Sequence, residues 1–233
     1  AASLHIRFSN ITVWGPAAEN FILVSRPENL GIGVFAAVEH HLNLAKLLDR
    51  SVRADALGWR LGASEASPSE DSVAGCLGGA LILVRKRLRI TVEGPDIVPC
   101  PHDSSTMAGR DWVSIVVHTR GSAFMLVSLY LLDGVGLVGH NIQRLFEVYK
   151  LERNSKIPTV VLADWNNTPP QLQALVEPWG WPMSVRVPHG VDHTCYSGRL
   201  LDFALVSDYV SCCIPRLVPC FVLLFEAHIC PAR

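Results

Sequence analysis

The sequence predicts an α/β fold with two sheets in one domain. Short apolar runs typical of strands recur along the whole chain, segments with helical spacing lie between them, and no linker or change of composition divides it. The 233 residues are 49% hydrophobic and 18% charged, which is enough for one large core and excludes a disordered chain. We expect residues 1–233 to form a single domain. Since there is no initiating Met, this domain could be a piece of a longer polypeptide.

The first half of the chain begins with strand patterns. Leu4, Ile6 and Phe8 alternate with polar residues, which predicts a half-buried strand that ends at Asn10. The continuously apolar run at 33–38 predicts a strand buried on both faces. Further elements are predicted as a short helix at 43–48, strands at 59–62 and 79–86, and a polar loop between those two strands.

The second half continues the alternation. Two β-rich runs joined by a short Gly-containing segment predict a hairpin, and apolar residues at helical spacing between 138 and 149 predict an amphipathic helix. A connection rich in Pro, Gly and Trp is predicted at 169–190. The strands are predicted at 112–118, 123–130, 159–163, 200–207 and 221–225.

Charge and cysteine content narrow the class of protein. Twenty basic and 21 acidic residues give a net charge of −1, which disfavours a strongly basic nucleic-acid binder but allows an enzyme that contacts a few phosphates. The longest apolar run has nine residues, too short for a membrane helix, and no signal peptide is visible. Seven cysteines without a CxxC pair favour reduced, buried thiols over disulfides or zinc. We expect an intracellular, nuclear or cytoplasmic monomer that does not bind membranes.

Polar residues stand at or near the ends of several apolar strands. Because rigid strand ends hold side chains well, such positions are where α/β folds assemble their sites. Each residue also has a structural interpretation: a turn residue, a carboxylate in the first turn of a helix, a core aromatic or an ordinary surface histidine. The residues at strand ends are Asn10, Glu39, Tyr130 and Asp164. Three further candidates accompany them: Asn166 two residues after Asp164, Asp202 within an apolar run, and His228 after the last apolar run.

The order of these residues resembles the endonuclease/exonuclease/phosphatase superfamily, which has the DNase I-like fold. The sequence is most similar to the endonuclease domains of retroelement polyproteins, and the resemblance runs from about Leu4 to His228. It implies a four-layer α/β sandwich of two packed, mainly antiparallel sheets flanked by helices. The matching pieces are SNITVWG, AVEHHL, GGALILVRK, VSLYLLDG, VVLADWNNTP, GRLLDFALVS and the C-terminal EAH.

The resemblance also implies a mechanism of phosphodiester hydrolysis. Glu39 and Asn10 would hold Mg²⁺, or Mn²⁺, beside a phosphate oxygen. Asp202 would pair with His228, and Asp164 would orient or deprotonate the attacking water. Asn166 and Tyr130 would donate hydrogen bonds to the transition state.

The expected substrate is DNA, nicked by an endonuclease that is flanked by other domains in a longer chain. Trp14, Arg120 and Arg199 are compatible with contacts to DNA. The one basic cluster, 85–89, is typical of a solvated strand end.

Two positions depart from the pattern of the superfamily. Its proteins usually have Asp directly before the C-terminal histidine, and Ala227 stands there instead; Val38 replaces a common Gln before the glutamate. Two alternatives to the endonuclease stay open, and Ala227 favours the second of them. One is a phosphatase of the same fold that acts on a small phosphoester, and the other is a degenerate domain kept for binding.

Overall fold

A computed structural model describes residues 3–24, 31–70, 72, 75–93, 111–118, 122–187, 192–194, 198–208, 216–218 and 223–228. The helices are α1 (Pro16–Glu19), which continues into a π-helical turn (Asn20–Val24), α2 (Leu44–Ala56), α3 (Gly139–Ser155) and α4 (Pro169–Val176), followed by a 3₁₀ turn (Glu177–Trp179). The strands are β1 (Ser3–Asn10), β2 (Ile32–Val38), β3 (Trp59–Ala63), β4 (Ser67–Pro68), β5 (Cys76–Leu77), β6 (Ala80–Arg85), β7 (Arg89–Glu93), β8 (Trp112–His118), β9 (Ala123–Tyr130), β10 (Thr159–Asp164), β11 (Met183–Arg186), β12 (Asp202–Ser207), β13 (Arg216–Val218) and β14 (Leu223–His228).

Twelve of these strands form two six-stranded sheets. The first sheet has the order β13-β14-β1-β2-β6-β3, and the second has the order β11-β12-β10-β9-β8-β7. Most neighbours are antiparallel, whereas β1 with β2 and β9 with β10 are parallel. The predicted pair of mainly antiparallel sheets is confirmed.

The two sheets pack face to face, and helices cover their outer faces. The central core joins Ile6, Val34 and Ile82 of the first sheet to Ile115 and Leu162 of the second. A second apolar cluster lies between the second sheet and the helices α3 and α4, and a third lies between the first sheet and α2. Each sheet therefore buries both faces, which explains the continuously apolar sequences of β2, β6 and β10. The predicted four-layer sandwich is confirmed.

Several elements are absent from the sequence prediction or differ from it. The helix predicted at 43–48 extends to Ala56. Its second half buries only the small Ala54 and exposes Val52, so few large apolar residues mark it in the sequence. The connection predicted at 169–190 contains α4 and β11. Its prolines read as breakers, but Pro is tolerated in the first turn of a helix, and Thr168 with Gln171 forms a capping box there. The strands β7 and β13 and the small β4–β5 hairpin were also not predicted.

Among the described residues, no helix combines the length and the apolar character needed to cross a membrane. Cys76 is buried with a free thiol that donates a hydrogen bond to the carbonyl of His41 at 2.9 Å, as the prediction of reduced cysteines requires. The other six cysteines lie outside the described residues.

Candidate functional site

Strand directions bring most of the predicted polar residues, but not His228, to one edge of the sandwich. In the first sheet, Asn10 ends β1 opposite Val38, and Glu39 follows Val38 directly. In the second sheet, Asp164 ends β10 beside Tyr130, the last residue of the parallel strand β9. The strand β12 is antiparallel to β10, so its first residue, Asp202, lies opposite Asp164.

A hydrogen bond from Asn10 to Asp164 joins the two sheets at this edge. Asn10 Nδ2 donates to Asp164 Oδ2 at 2.8 Å, although the two residues are 154 positions apart in the sequence. The other oxygen, Oδ1, accepts from the backbone N–H of Asn166 at 3.1 Å. Asn166 has a left-handed φ of 48° and donates its Nδ2 to the carbonyl of Leu131 at 2.7 Å. Both oxygens of Asp164 are therefore fixed in direction.

Glu39 and Tyr130 form the second contact between the sheets. Glu39 turns away from β2 with a φ of 58°, and its N–H donates to the carbonyl of Gly79 at 2.9 Å. The buried hydroxyl of Tyr130 is hydrogen-bonded to the Glu39 carboxylate. Burial, and then the charge of Glu39, raise the pKa of Tyr130, so this hydroxyl keeps its proton and remains a donor.

The carboxylates at this edge are held close together without full compensation. Burial raises the pKa of Asp164 to about 6, and the charge of Glu39 adds to the shift, while the N–H of Asn166 opposes it. Burial and then the charge of Asp164 raise the pKa of Asp202 to about 8, against a lowering hydrogen bond from Thr194. Asp202 Oδ1 is enclosed and has no hydrogen-bond partner. An added cation would relieve both the repulsion and the unsatisfied oxygen.

The donor set suits a hard divalent cation that keeps part of its water. In the part of the chain that the structure describes, no group of three or more His, Cys, Asp or Glu side chains could enclose a metal ion. Mg²⁺ is usually held by one or two carboxylates and retains several waters, so it does not need such a cage. Glu39 and the amide oxygen of Asn10 are oxygen donors of the required kind, and Asn10 Oδ1 accepts one hydrogen bond, from Thr12 N–H, which leaves a second lone pair.

The structure does not bring His228 to this edge. The strand β14 is antiparallel to β1, and His228 lies opposite Ser3, at the far end of β1 from Asn10. Seven residues of strand separate these ends, or about 23 Å. The expected pairing of Asp202 with His228 is therefore corrected, and the described partner of Asp202 is Thr194. Ala227 lies opposite Leu4, so the substitution at this position does not reach the carboxylates.

The structure bears differently on the three residues predicted to contact DNA. Trp14 is 3% exposed and donates its Nε1 to Glu19 at 3.4 Å, so the prediction of a DNA contact is wrong and Trp14 is a core residue. Arg199 is exposed three residues before Asp202, and its contact with DNA stays a prediction. Arg120 lies outside the described residues.

The basic cluster at 85–89 lies away from the site. Arg85 is buried, with its guanidinium 4.0 Å from the centre of the Trp59 ring, and it ends β6 at the edge of the sheet opposite to Val38. The interpretation as a solvated strand end holds for the exposed Lys86, Arg87 and Arg89 and is wrong for Arg85.

Two polar residues of the site region carry no signal in the sequence. Thr194 accepts from the backbone N–H groups of Leu201 and Asp202, each at 2.9 Å, and hydrogen-bonds the Asp202 carboxylate. Asp111 is 1% exposed and pairs with Arg144, which is 33 positions further along the chain. Both lie in irregular segments, where only the three-dimensional contacts show what they do.

Comparison with known proteins identifies the fold. No protein-family model matches the chain, and no curated protein matches it in sequence. Among solved structures, the endonuclease domain of TRAS1, a telomere-specific non-LTR retrotransposon, matches with a TM-score of 0.69 and 12% identity over 97% of this chain and 98% of its own. A 3′–5′ exonuclease from Neisseria meningitidis matches with a TM-score of 0.64 and 14% identity over 96% and 98% of the two chains. An AP endonuclease from Leishmania major gives 0.63 and 12% over 97% and 87%.

These matches confirm the resemblance found in the sequence at the level of the fold. The chain has the endonuclease/exonuclease/phosphatase, or DNase I-like, fold.

Proposed function

We propose that this protein is a metal-dependent phosphodiester hydrolase that nicks DNA. The observation that carries the proposal is the meeting of Asn10 and Glu39 from one sheet with Tyr130, Asp164 and Asp202 from the other. The proteins that share the fold include a retrotransposon endonuclease, a 3′–5′ exonuclease and an AP endonuclease, which supports a nucleic-acid substrate.

Glu39 and Asn10 are the proposed ligands of Mg²⁺ or Mn²⁺. Such an ion would supply positive charge to a phosphate oxygen and to the negative charge that develops during hydrolysis. The raised pKa values of Asp164 and Asp202 support the placement of a cation here, because both carboxyls gain from a nearby positive charge.

Asp164 is the proposed base that orients and deprotonates the attacking water. Its pKa of about 6 leaves it largely ionised at pH 7 and close to the value at which proton transfer is efficient. The hydrogen bonds from Asn10 and Asn166 aim its two oxygens. Asn166 uses one amide hydrogen on Leu131, and we assign the other to a phosphate oxygen, with the Tyr130 hydroxyl as a second donor.

A nicking assay on supercoiled plasmid tests the proposal. The protein should convert supercoiled to open-circular DNA with Mg²⁺ and not with EDTA, and Asp164→Asn should lower the rate at least about 100-fold. Asp192→Asn, which changes an exposed carboxylate, is the matched control and should retain the rate. Nicking that is equal with and without EDTA would contradict the metal, and equal rates in Asp164→Asn and the parent would contradict the base.

A binding domain without catalysis is the second candidate, and the position of His228 favours it. No histidine reaches the carboxylate edge from β14, since His228 lies at the other end of the strand. This candidate predicts retention of plasmid in a gel-shift assay without nicking at any Mg²⁺ or Mn²⁺ concentration. Release of phosphate from a small phosphomonoester without nicking would instead support the phosphatase alternative.

A further inference from the structure

Asp111 connects the second sheet to the first beside the candidate site. It directly precedes β8 and is 1% exposed. Its Oδ1 accepts from the backbone N–H of Gly79 at 2.6 Å, and Gly79 directly precedes β6 of the first sheet. Its backbone carbonyl accepts from the N–H of Tyr130 at 2.8 Å. One residue therefore holds the backbone of Tyr130 and reaches across to the opposite sheet.

The contact with Gly79 leads directly to Glu39. The carbonyl of Gly79 accepts from the N–H of Glu39 at 2.9 Å, and the carbonyl of Gly78 accepts from His41 N–H at 3.1 Å. Two successive hydrogen bonds thus run from the Asp111 carboxylate through Gly79 to the backbone of Glu39. Glu39 has a φ of 58°, a conformation that a glutamate rarely adopts without support from its surroundings.

The turn before β6 requires glycine at positions 78 and 79, because any larger residue would collide with its neighbours. Gly78 and Gly79 have φ values of 75° and 86°. A Cβ at position 78 would collide with Asp111 Oδ1 and crowd the Tyr130 ring at 3.1 Å, and one at position 79 would collide with the imidazole of His40. The backbone of the turn is therefore packed directly against Asp111 and Tyr130.

Arg144 of α3 holds the other oxygen of Asp111. The distance from Arg144 to Asp111 Oδ2 is 2.5 Å, and Arg144 is 7% exposed. A buried ion pair is weak support for stability, because removing two charges from water costs about as much as their attraction returns. The Asp111–Arg144 pair lies between the two sheets, next to Glu39 and Tyr130, and this position suits a role in holding the backbone in place.

We propose that Asp111, held by Arg144, is a positioning residue that fixes the Gly78–Gly79 turn and thereby holds Glu39 against Tyr130. Its consequence for metal binding rests on the proposed function, since Glu39 is a ligand only in that proposal. The geometric part stands on the hydrogen bonds alone.

Two double variants separate the positioning contact from the buried charges. Asp111→Asn with Arg144→Met removes both charges but keeps an oxygen that accepts from Gly79 N–H. Asp111→Gly with Arg144→Met removes the charges and the acceptor, and glycine tolerates the φ of 50° at position 111. Ser207→Ala is the control for general loss of stability, because Ser207 makes buried hydrogen bonds to Thr159 at the end of β12 far from Asp202.

Amide hydrogen exchange tests the geometric part without any metal. In the glycine double variant, exchange at Gly79 and Glu39 should quicken about tenfold or more relative to Leu126 in the core of β9. The asparagine double variant and Ser207→Ala should show the parent ratio. Equal ratios in the two double variants would overturn the positioning role, as would the same rise in Ser207→Ala.

Calorimetric titration with Mg²⁺ alone tests whether the positioning of Glu39 by Asp111 affects metal binding. The glycine double variant should bind about tenfold more weakly than the parent, and the asparagine double variant within about twofold of it. A parent that binds no Mg²⁺ contradicts the proposed function while the exchange result still decides the role of Asp111. Equal Mg²⁺ affinity in both double variants contradicts the link from Asp111 to the metal site.

Discussion

The proposed metal site depends on Glu39, the first residue after β2. Glu39→Gln keeps the shape of the side chain but replaces a charged oxygen ligand by a neutral one, which a hard cation binds weakly. We expect Mg²⁺ affinity to fall at least about tenfold and nicking to disappear, with the Tm within about 3 °C of the parent, because the backbone contact with Gly79 remains. Titration calorimetry and a thermal melt measure both effects.

Glu177→Gln is the matched control for this substitution, since Glu177 is exposed on the turn after α4. It should leave Mg²⁺ affinity and nicking unchanged. Parent-like Mg²⁺ binding in Glu39→Gln would refute the assignment of Glu39 as a ligand.

At the residue scale, the sequence predicted most of the side chains that meet at the site. It did not predict which residues are buried or which distant residues they pair with. Asn10, Glu39 and Asp164 were found because each ends or directly follows an apolar strand. Trp14 was misassigned because its sequence neighbours do not show the helices that cover it. Asp111 could not be found, since its partner Arg144 lies on a helix that the chain reaches only two strands later.

At the scale of elements, local patterns predicted most strands, but strand direction depends on pairing between distant segments. The apolar runs of β2, β6, β8 and β10 are visible in the sequence because burial on both faces leaves a continuous signal. The direction of β14 relative to β1 has no such signal. A histidine at the end of the last apolar run looks similar whether that end meets the site or lies opposite to it.

The direction of β14 makes a prediction for Ala227. Ala227→Asp should change neither the rate of nicking nor the half-saturating Mg²⁺ concentration by more than about twofold, because position 227 lies opposite Leu4, about 20 Å along β1 from Asn10. The comparison needs one plasmid and one ionic strength, since phosphate contacts depend on salt. A rise in rate with a lower Mg²⁺ requirement would mean that the end of β14 reaches the site after all.

At the scale of the whole molecule, the site lies where two sheets meet. Packing of the sheets brings its carboxylates together, and the repulsion between their charges lowers the stability of the folded state. The folded state holds Glu39, Asp164 and Asp202 near one another, whereas the unfolded chain separates them. Residues kept for function often reduce stability in this way. The metal-free protein should therefore lose stability as Asp164 and Asp202 ionise.

The raised pKa values determine whether the stability of the metal-free protein rises or falls with pH. Asp202 has a pKa of about 8 in the folded state against 3.8 in the unfolded chain, so the folded state binds the extra proton between these values and stability falls as pH rises through this window. Asp164, with a pKa of about 6, acts in the same direction at lower pH. Buried His40 acts in the opposite direction, because its pKa falls from 6.5 to about 4 on folding. From pH 6.5 to 8 the effect of Asp202 outweighs that of His40, which fades as the unfolded-state imidazole loses its proton above pH 6.5.

Urea unfolding of the metal-free protein with EDTA should accordingly show stability falling by about 1 kcal/mol per pH unit between pH 6.5 and 8. Asp202→Asn should remove most of this slope and be more stable than the parent at pH 8.5. Asp192→Asn, an exposed carboxylate, should keep the parent slope. Saturating Mg²⁺ should abolish the fall in the parent, because a cation at this edge favours the ionised form of the nearby Asp202 and therefore binds more tightly as pH rises. A parent whose stability is flat or rises over this range without metal would show that Asp202 is ionised in the folded state, and the case for an uncompensated carboxylate at this edge would fail.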